Sequence, residues 1–164
     1  MHRRRFLAST LAVLAVPLAA CLDTTEDIVT TPPPEVPIES ATFASALGVN
    51  ISASTKTTNG LYYRDLTVGS GATVAAGQRV SVRYTGWLPN GQQFDSNVGS
   101  TQLFEFMLGA GGVIPGFDQG IAGMRVGGRR QIIIPPALGY GPSGFGPIPG
   151  NAILVFDVEV VSVR

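Results

Sequence analysis

Pro115-Gly116-Phe117-Asp118-Gln119-Gly120-Ile121-Ala122-Gly123-Met124-Arg125-Val126-Gly127-Gly128 carries helix signals in a region where the other apolar stretches read as strands. Pro115 suits a first helical position, Phe117, Ile121 and Met124 recur at i, i+4 and i+7, and Gly127-Gly128 supplies a stop. Upstream, Gln102 to Met107 places Phe104 and Phe106 on one face, and Arg79 to Thr85 alternates Val80, Val82 and Tyr84 against Arg83 and Thr85. Downstream, Arg130 to Ile134 is a short apolar run. Ile153 to Val163 then turns Leu154, Phe156, Val158 and Val160 one way and Asp157 and Glu159 the other. Further upstream, Val49 to Lys56 and Leu61 to Val68 flank Asn59-Gly60, a dipeptide suited to a tight hairpin. One short helix against five or six mostly antiparallel strands predicts an α+β fold, a single curved sheet wrapped around that helix.

The chain has 164 residues, 45% hydrophobic and 13% charged, which fits one core with short appendages. Its 11 basic residues balance 11 acidic ones, and no basic run follows Arg5, so the electrostatic basis for nucleic-acid binding is absent. One Cys and one His cannot build a disulfide framework or a zinc site. No metal and no cofactor is expected.

Both rare residues belong to the first twenty-one. Arg3-Arg4-Arg5 is a charged n-region, Phe6 to Ala20 is apolar, and Leu18-Ala19-Ala20-Cys21 puts small residues before the cysteine. Residues 1–20 therefore read as a cleaved export signal. The apolar stretch falls short of the roughly 20 residues that span a bilayer. The Leu-Ala-Ala-Cys ending resembles the bacterial lipobox, which makes Cys21 the lipidated first residue of a membrane-anchored protein in the periplasm or at the cell surface. Arg3 to Leu7 also resembles a twin-arginine signal, so the export route stays open. Cleavage before Cys21 removes His2, and with it every Ser-His or Cys-His scheme and the most frequent general base.

Residues 21–39 follow as the lipidated cysteine and a Thr/Pro-rich tether with Pro32-Pro33-Pro34 and Pro37. Residues 40–59 are expected to add a short helix, capped by Ser40, with Phe43 and Leu47 on one face and Gly48 as its stop, and then a strand. The domain itself is expected over 60–164.

The order of motifs resembles the FKBP-type peptidyl-prolyl cis-trans isomerases. The matching pieces are Val82-Arg83-Tyr84-Thr85-Gly86, Gln93-Phe94-Asp95-Ser96, Phe104-Glu105-Phe106-Met107-Leu108-Gly109 and Val113-Ile114-Pro115-Gly116-Phe117. They continue through Met124-Arg125-Val126-Gly127-Gly128, Gly139-Tyr140-Gly141, Ile148-Pro149 and Leu154-Val155-Phe156-Asp157-Val158. The resemblance implies a pocket between helix and sheet that takes a prolyl ring while the preceding peptide bond rotates. Phe117 would be its floor, with Tyr84, Phe94, Phe104, Val113, Ile114 and Phe156 as walls. The Tyr140 hydroxyl and the Ile114 backbone N–H would bind substrate carbonyls, Asp95 would sit at a polar rim, and Ile148 would lie on a mobile flap within Gly139 to Gly150.

Such a protein would isomerise X-Pro bonds in proline-containing exported polypeptides as they fold. A non-catalytic chaperone or peptide-binding module on the same fold is the alternative. Read one at a time, Phe94 and Phe104 are equally core aromatics, Tyr140 between glycines is equally a turn tyrosine, and Asp95 equally pairs with an arginine or caps a turn. Three positions depart from the family pattern. Phe117 stands where the best-studied members carry Trp, Gly112 where a longer side chain is frequent, and Gly150 where a second proline follows Ile-Pro. The first makes the floor smaller; the other two bear on affinity for macrolides such as rapamycin, the small-molecule partners the resemblance implies.

Overall fold

The computed structural model describes residues 33–164. The expected export segment, Cys21 and the first part of the tether lie outside the described residues. Seven strands form one sheet: β1 Thr55–Lys56, β2 Tyr62–Thr67, β3 Arg79–Trp87, β4 Gln93–Ser96, β5 Phe104–Met107, β6 Arg129–Ile134 and β7 Leu154–Val163. Their order is β1-β2-β6-β7-β3-β4, with β5 also on β3, and every pairing is antiparallel. Register shifts interrupt the β2–β6, β3–β4 and β3–β7 ladders. Such bulges strengthen local twist, and the sheet curves around helix α1, Pro115–Ile121.

Two glycines let α1 lie flat on β6. A Cβ at Gly116 would stand 2.3 Å from Ile134, and one at Gly120 would stand 2.6 Å from Ile132. Arg130, buried in β6, closes the other end. Its guanidinium donates to the carbonyls of Gly120 at 3.0 Å and Ala122 at 3.3 Å, forms a two-pronged pair with Asp65, and lies 4.4 Å from the Tyr63 ring centre. These are the last carbonyls of a helix, which lack intrahelical donors.

The helix is shorter than its apolar spacing predicts. It stops at Ile121 because Gly123 turns to φ +76°, a left-handed conformation that ends helices. Met124 is still buried, now in the turn beyond. Residues 40–59 also differ from expectation. The short helix is replaced by single 3-10 turns at Ile38–Ser40, Ser45–Leu47 and Ile51–Ala53, and the strand is reduced to Thr55–Lys56. Gly48 does end the second turn, at φ +58°. Ile38 is only 4% exposed, so the packed body already includes the end of the stretch read as tether.

Alternation along β6 and β7 divides the core in two. Ile132, Ile134, Leu154, Phe156, Val158 and Val160 face α1; Ile133 and Val155 face the other way, where Ile38, Phe43 and Leu47 cover them.

Candidate active site

Six segments converge at the open end of the space between α1 and the sheet. β3 contributes Tyr84, β4 Phe94 and Asp95, β5 Phe104, the helix and its approach Val113, Ile114 and Phe117, and β7 Phe156. Tyr140 comes from the loop between β6 and β7. With Gly112 these residues line a cavity of about 220 Å³. An apolar cavity of about 150 Å³ takes benzene, so a pyrrolidine ring fits.

The rings meet edge to face rather than filling the space between them. Phe117, buried as the floor, lies 5.2 Å from Phe156 at 68° and 5.6 Å from Tyr84 at 73°. Phe94 meets Phe156 at 5.5 Å and 86°, and Tyr84 meets Phe104 at 5.6 Å and 68°. Such packing suits the ring quadrupoles. Gly86 makes it possible, since a Cβ there would stand 2.6 Å from the Phe94 ring and 2.7 Å from that of Phe156.

The polar groups divide into one engaged pair and two free donors. The Tyr84 hydroxyl donates to Asp95 Oδ2 at 2.5 Å, so Asp95 is held at the rim by a tyrosine, with no salt bridge to an arginine among the described residues. Burial, then the Asp95 hydrogen bond, pushes the Tyr84 phenol well above its ordinary value. The Tyr140 hydroxyl makes no hydrogen bond among the described residues, and neither does the Ile114 backbone N–H, which precedes the first turn of α1. Burial raises the Tyr140 phenol, with the negative field of Asp95 adding to it. Both tyrosines are therefore neutral at pH 7.

Ile148 is placed differently from the expected flap contact. It is 5% exposed and packs into the main core, outside the cavity lining. The tip of its loop closes on itself, because Phe145 and Ile148 exchange N–H···O bonds of 2.9 Å. Phe145 takes the outward position instead, 68% exposed and stacked on Tyr140 at 5.4 Å.

Two supporting residues escape sequence reasoning. Asn97 donates to the Val82 carbonyl at 3.0 Å and accepts from the Tyr84 N–H at 2.8 Å, so a side chain completes the ladder behind Tyr84. Asp118 accepts from the Gly109 N–H with both oxygens, at 2.9 and 3.0 Å, and pins the loop that leads to Val113. An acidic residue in a first helical turn is the only local signal for the latter.

A family model described as FKBP-type peptidyl-prolyl cis-trans isomerase matches residues 71–161. The chain is 45% identical over 130 residues to peptidyl-prolyl cis-trans isomerase FKBP15-3 of Arabidopsis thaliana, covering 77% of this chain and 90% of that protein. It is 52% identical over 111 residues to FK506-binding protein 4 of Rhizopus delemar, covering 67% of this chain and 29% of that protein. It thus spans less than a third of some of the relatives it matches. Among solved structures, FkpA from Escherichia coli superposes with a TM-score of 0.64 at 36% identity, over 68% of this chain and 52% of that one. AtFKBP13 gives the same score and identity over 68% of this chain and 98% of its own. The fold is that of a curved antiparallel sheet closed on a short helix around an aromatic cleft. The chain belongs to the FKBP-type peptidyl-prolyl cis-trans isomerase family.

Proposed function

We propose that this protein catalyses cis–trans isomerisation of X-Pro peptide bonds. The observation that carries this reading is an aromatic cleft large enough for a prolyl ring, lined by two residues, Tyr140 and Ile114, whose O–H and backbone N–H have no hydrogen-bond partner among the described residues. A planar amide owes its barrier of about 18–20 kcal/mol to resonance that separates charge between oxygen and nitrogen. Twisting the bond abolishes that separation. Walls of Phe and Tyr exclude the water that stabilises the planar form, and so favour the twisted one. The two donors orient the carbonyls flanking the ring, so that rotation is the one freedom left. No bond is made or broken, and no group needs to change protonation.

Its substrates are proline-containing exported polypeptides, and the protein is a lipid-anchored form held to a bacterial membrane in the periplasm or at the cell surface. The charged Arg3-Arg4-Arg5 region, the apolar Phe6 to Ala20 stretch and the Leu-Ala-Ala-Cys21 sequence support this. In this reading 1–20 is removed, 21–39 carries the lipid and tether, 40–59 is an extension and 60–164 is the isomerase domain. Macrolides such as rapamycin compete for the same cleft.

The deciding experiment is a proline-peptide isomerisation assay on the protein, with and without rapamycin. Acceleration over the uncatalysed exchange, which takes tens to hundreds of seconds, is expected. Suppression of aggregation without any acceleration would reassign the protein as a peptide-binding chaperone. For the anchor, Cys21→Ser should abolish incorporation of labelled fatty acid, and retained label defeats the lipidation reading.

A further inference from the structure

We infer that residues 33–53, which precede the family-matched region, are a positioning arm of the cleft, bridging the turn that leads into the Asp95 strand and the loop that carries Tyr140. The inference rests on the isomerase reading above. At one end, the Ala44 N–H donates to the Pro89 carbonyl at 2.8 Å, in the turn between β3 and β4. That turn leads directly into Gln93-Phe94-Asp95, and a Cβ on its Gly91 would stand 3.1 Å from Ala44 Cβ. At the other end, the Asn151 side-chain amide donates to the Pro33 carbonyl at 2.5 Å, while its backbone N–H donates to the Gly141 carbonyl at 2.9 Å. Gly141 follows Tyr140. Ile38 anchors the arm between these points, buried with Ile153 and Val155.

Asn151 is, among the described residues, the one non-glycine residue at positive φ, +56°. Asn tolerates this conformation better than most residues. It buys a geometry in which one residue holds the arm with its side chain and the Tyr140 loop with its backbone. Away from the Ile38–Ile153 contact, a cavity of about 390 Å³ lined mostly by apolar residues lies between the arm and residues 149–152, so the Asn151 bond is a discrete link beside that contact rather than part of a continuous seam. The Tyr140 hydroxyl has no hydrogen bond of its own among the described residues. Its position is inherited from the loop, and a loop released by the arm would populate the binding-competent arrangement less. Apparent affinity falls by the competent fraction, whereas turnover of bound substrate does not.

Two variants of the full chain test this. Asn151→Asp keeps the side-chain shape and the tolerance of positive φ, but its carboxylate cannot donate to the Pro33 carbonyl. Ile38→Ala removes the apolar anchor at a site away from the cleft. Each should speed amide hydrogen exchange at Gly141, Ser143 and Gly144 and raise KM for a proline peptide about three- to tenfold, with kcat within about twofold of the parent. Unchanged exchange and unchanged KM in Asn151→Asp would overturn the inference. So would effects confined to Ile38→Ala that merely track its lost global stability. Faster exchange in both variants of a protein whose parent shows no isomerase activity would keep the arm-to-loop link and sink the catalytic reading instead.

Discussion

The two faces of the sheet solve opposite problems with the same strands. On the helix side the residues near the rim are aromatic, their rings meet edge to face, and a cavity remains. On the arm side Ile133, Val155 and Ile153 are covered by Ile38, Phe43, Leu47 and Ile51. Large flat rings meeting at steep angles leave space that small neighbours would not fill, whereas the cavity beside the arm has no aromatic ring in its lining. The comparison teaches that the cleft is a consequence of which residue types face which way, not of a looser fold. One face is built for stability and the other spends some of its apolar surface on a ligand.

Truncation on the helix side should do the most damage. Phe117→Ala removes the floor and a core ring together, and is expected to cost about 3–5 kcal/mol of stability. It should also lower kcat/KM by roughly ten- to a hundredfold, the worth of burying one prolyl ring. Denaturant titration and the peptide assay read the two effects. The matching change on the arm side, Ile133→Ala, should cost about 2–5 kcal/mol, with kcat/KM falling no more than about tenfold, through loosening of the arm alone. Equal losses of activity in the two variants would erase the distinction between the faces.

Tyr140→Phe sharpens the contrast without touching packing. Its hydroxyl has no partner to lose among the described residues, so unfolding should be unaffected. One neutral hydrogen bond to substrate is worth about 0.5–1.5 kcal/mol, which predicts a two- to tenfold drop in kcat/KM. A loss beyond about a thousandfold would demand proton transfer that the rotation mechanism excludes.

The smallest expected effect is that of pH. Tyr84 and Tyr140 are both raised above the ordinary tyrosine value of 10.0, first by burial and then by Asp95. Below that value they are neutral in folded and unfolded chains alike, and kcat/KM should be flat from neutrality to about pH 10. Above it the unfolded chain ionises first, so stability declines as pH rises toward the folded values. A kcat/KM profile that bends between neutrality and about pH 10 would break the expectation that both phenols act in their neutral form.

Period-two alternation made β3 and β7 legible, because half-buried strands write their orientation into every second residue, while β6 was legible only as a short apolar run. The hairpin at Asn59-Gly60 was equally readable, although its first strand is only Thr55–Lys56, because Val49 and Ile51 belong to the arm and pack against the cluster that holds Tyr62 and Ile133. Gly123 marks where local reading failed. A glycine inside an apolar i, i+4, i+7 pattern looks the same whether it continues the helix or turns to positive φ, and only packing against the sheet decides. Phe43 and Leu47 likewise kept their shared burial while the helix that would explain their spacing did not form.

The sequence by itself determined which residues are apolar, aromatic or able to turn, and the order of motifs determined the family to which they belong. Only the tertiary structure decided that Tyr84 is engaged with Asp95 while the Tyr140 hydroxyl has no partner among the described residues, that Ile148 faces the core while Phe145 faces out, and that Asn151 bonds to Pro33. The reason is range. Alternation and turn propensity act over a few neighbouring residues, whereas a hydrogen bond between Asn151 and Pro33 joins positions 118 apart in the chain and exists only once both faces of the sheet are covered.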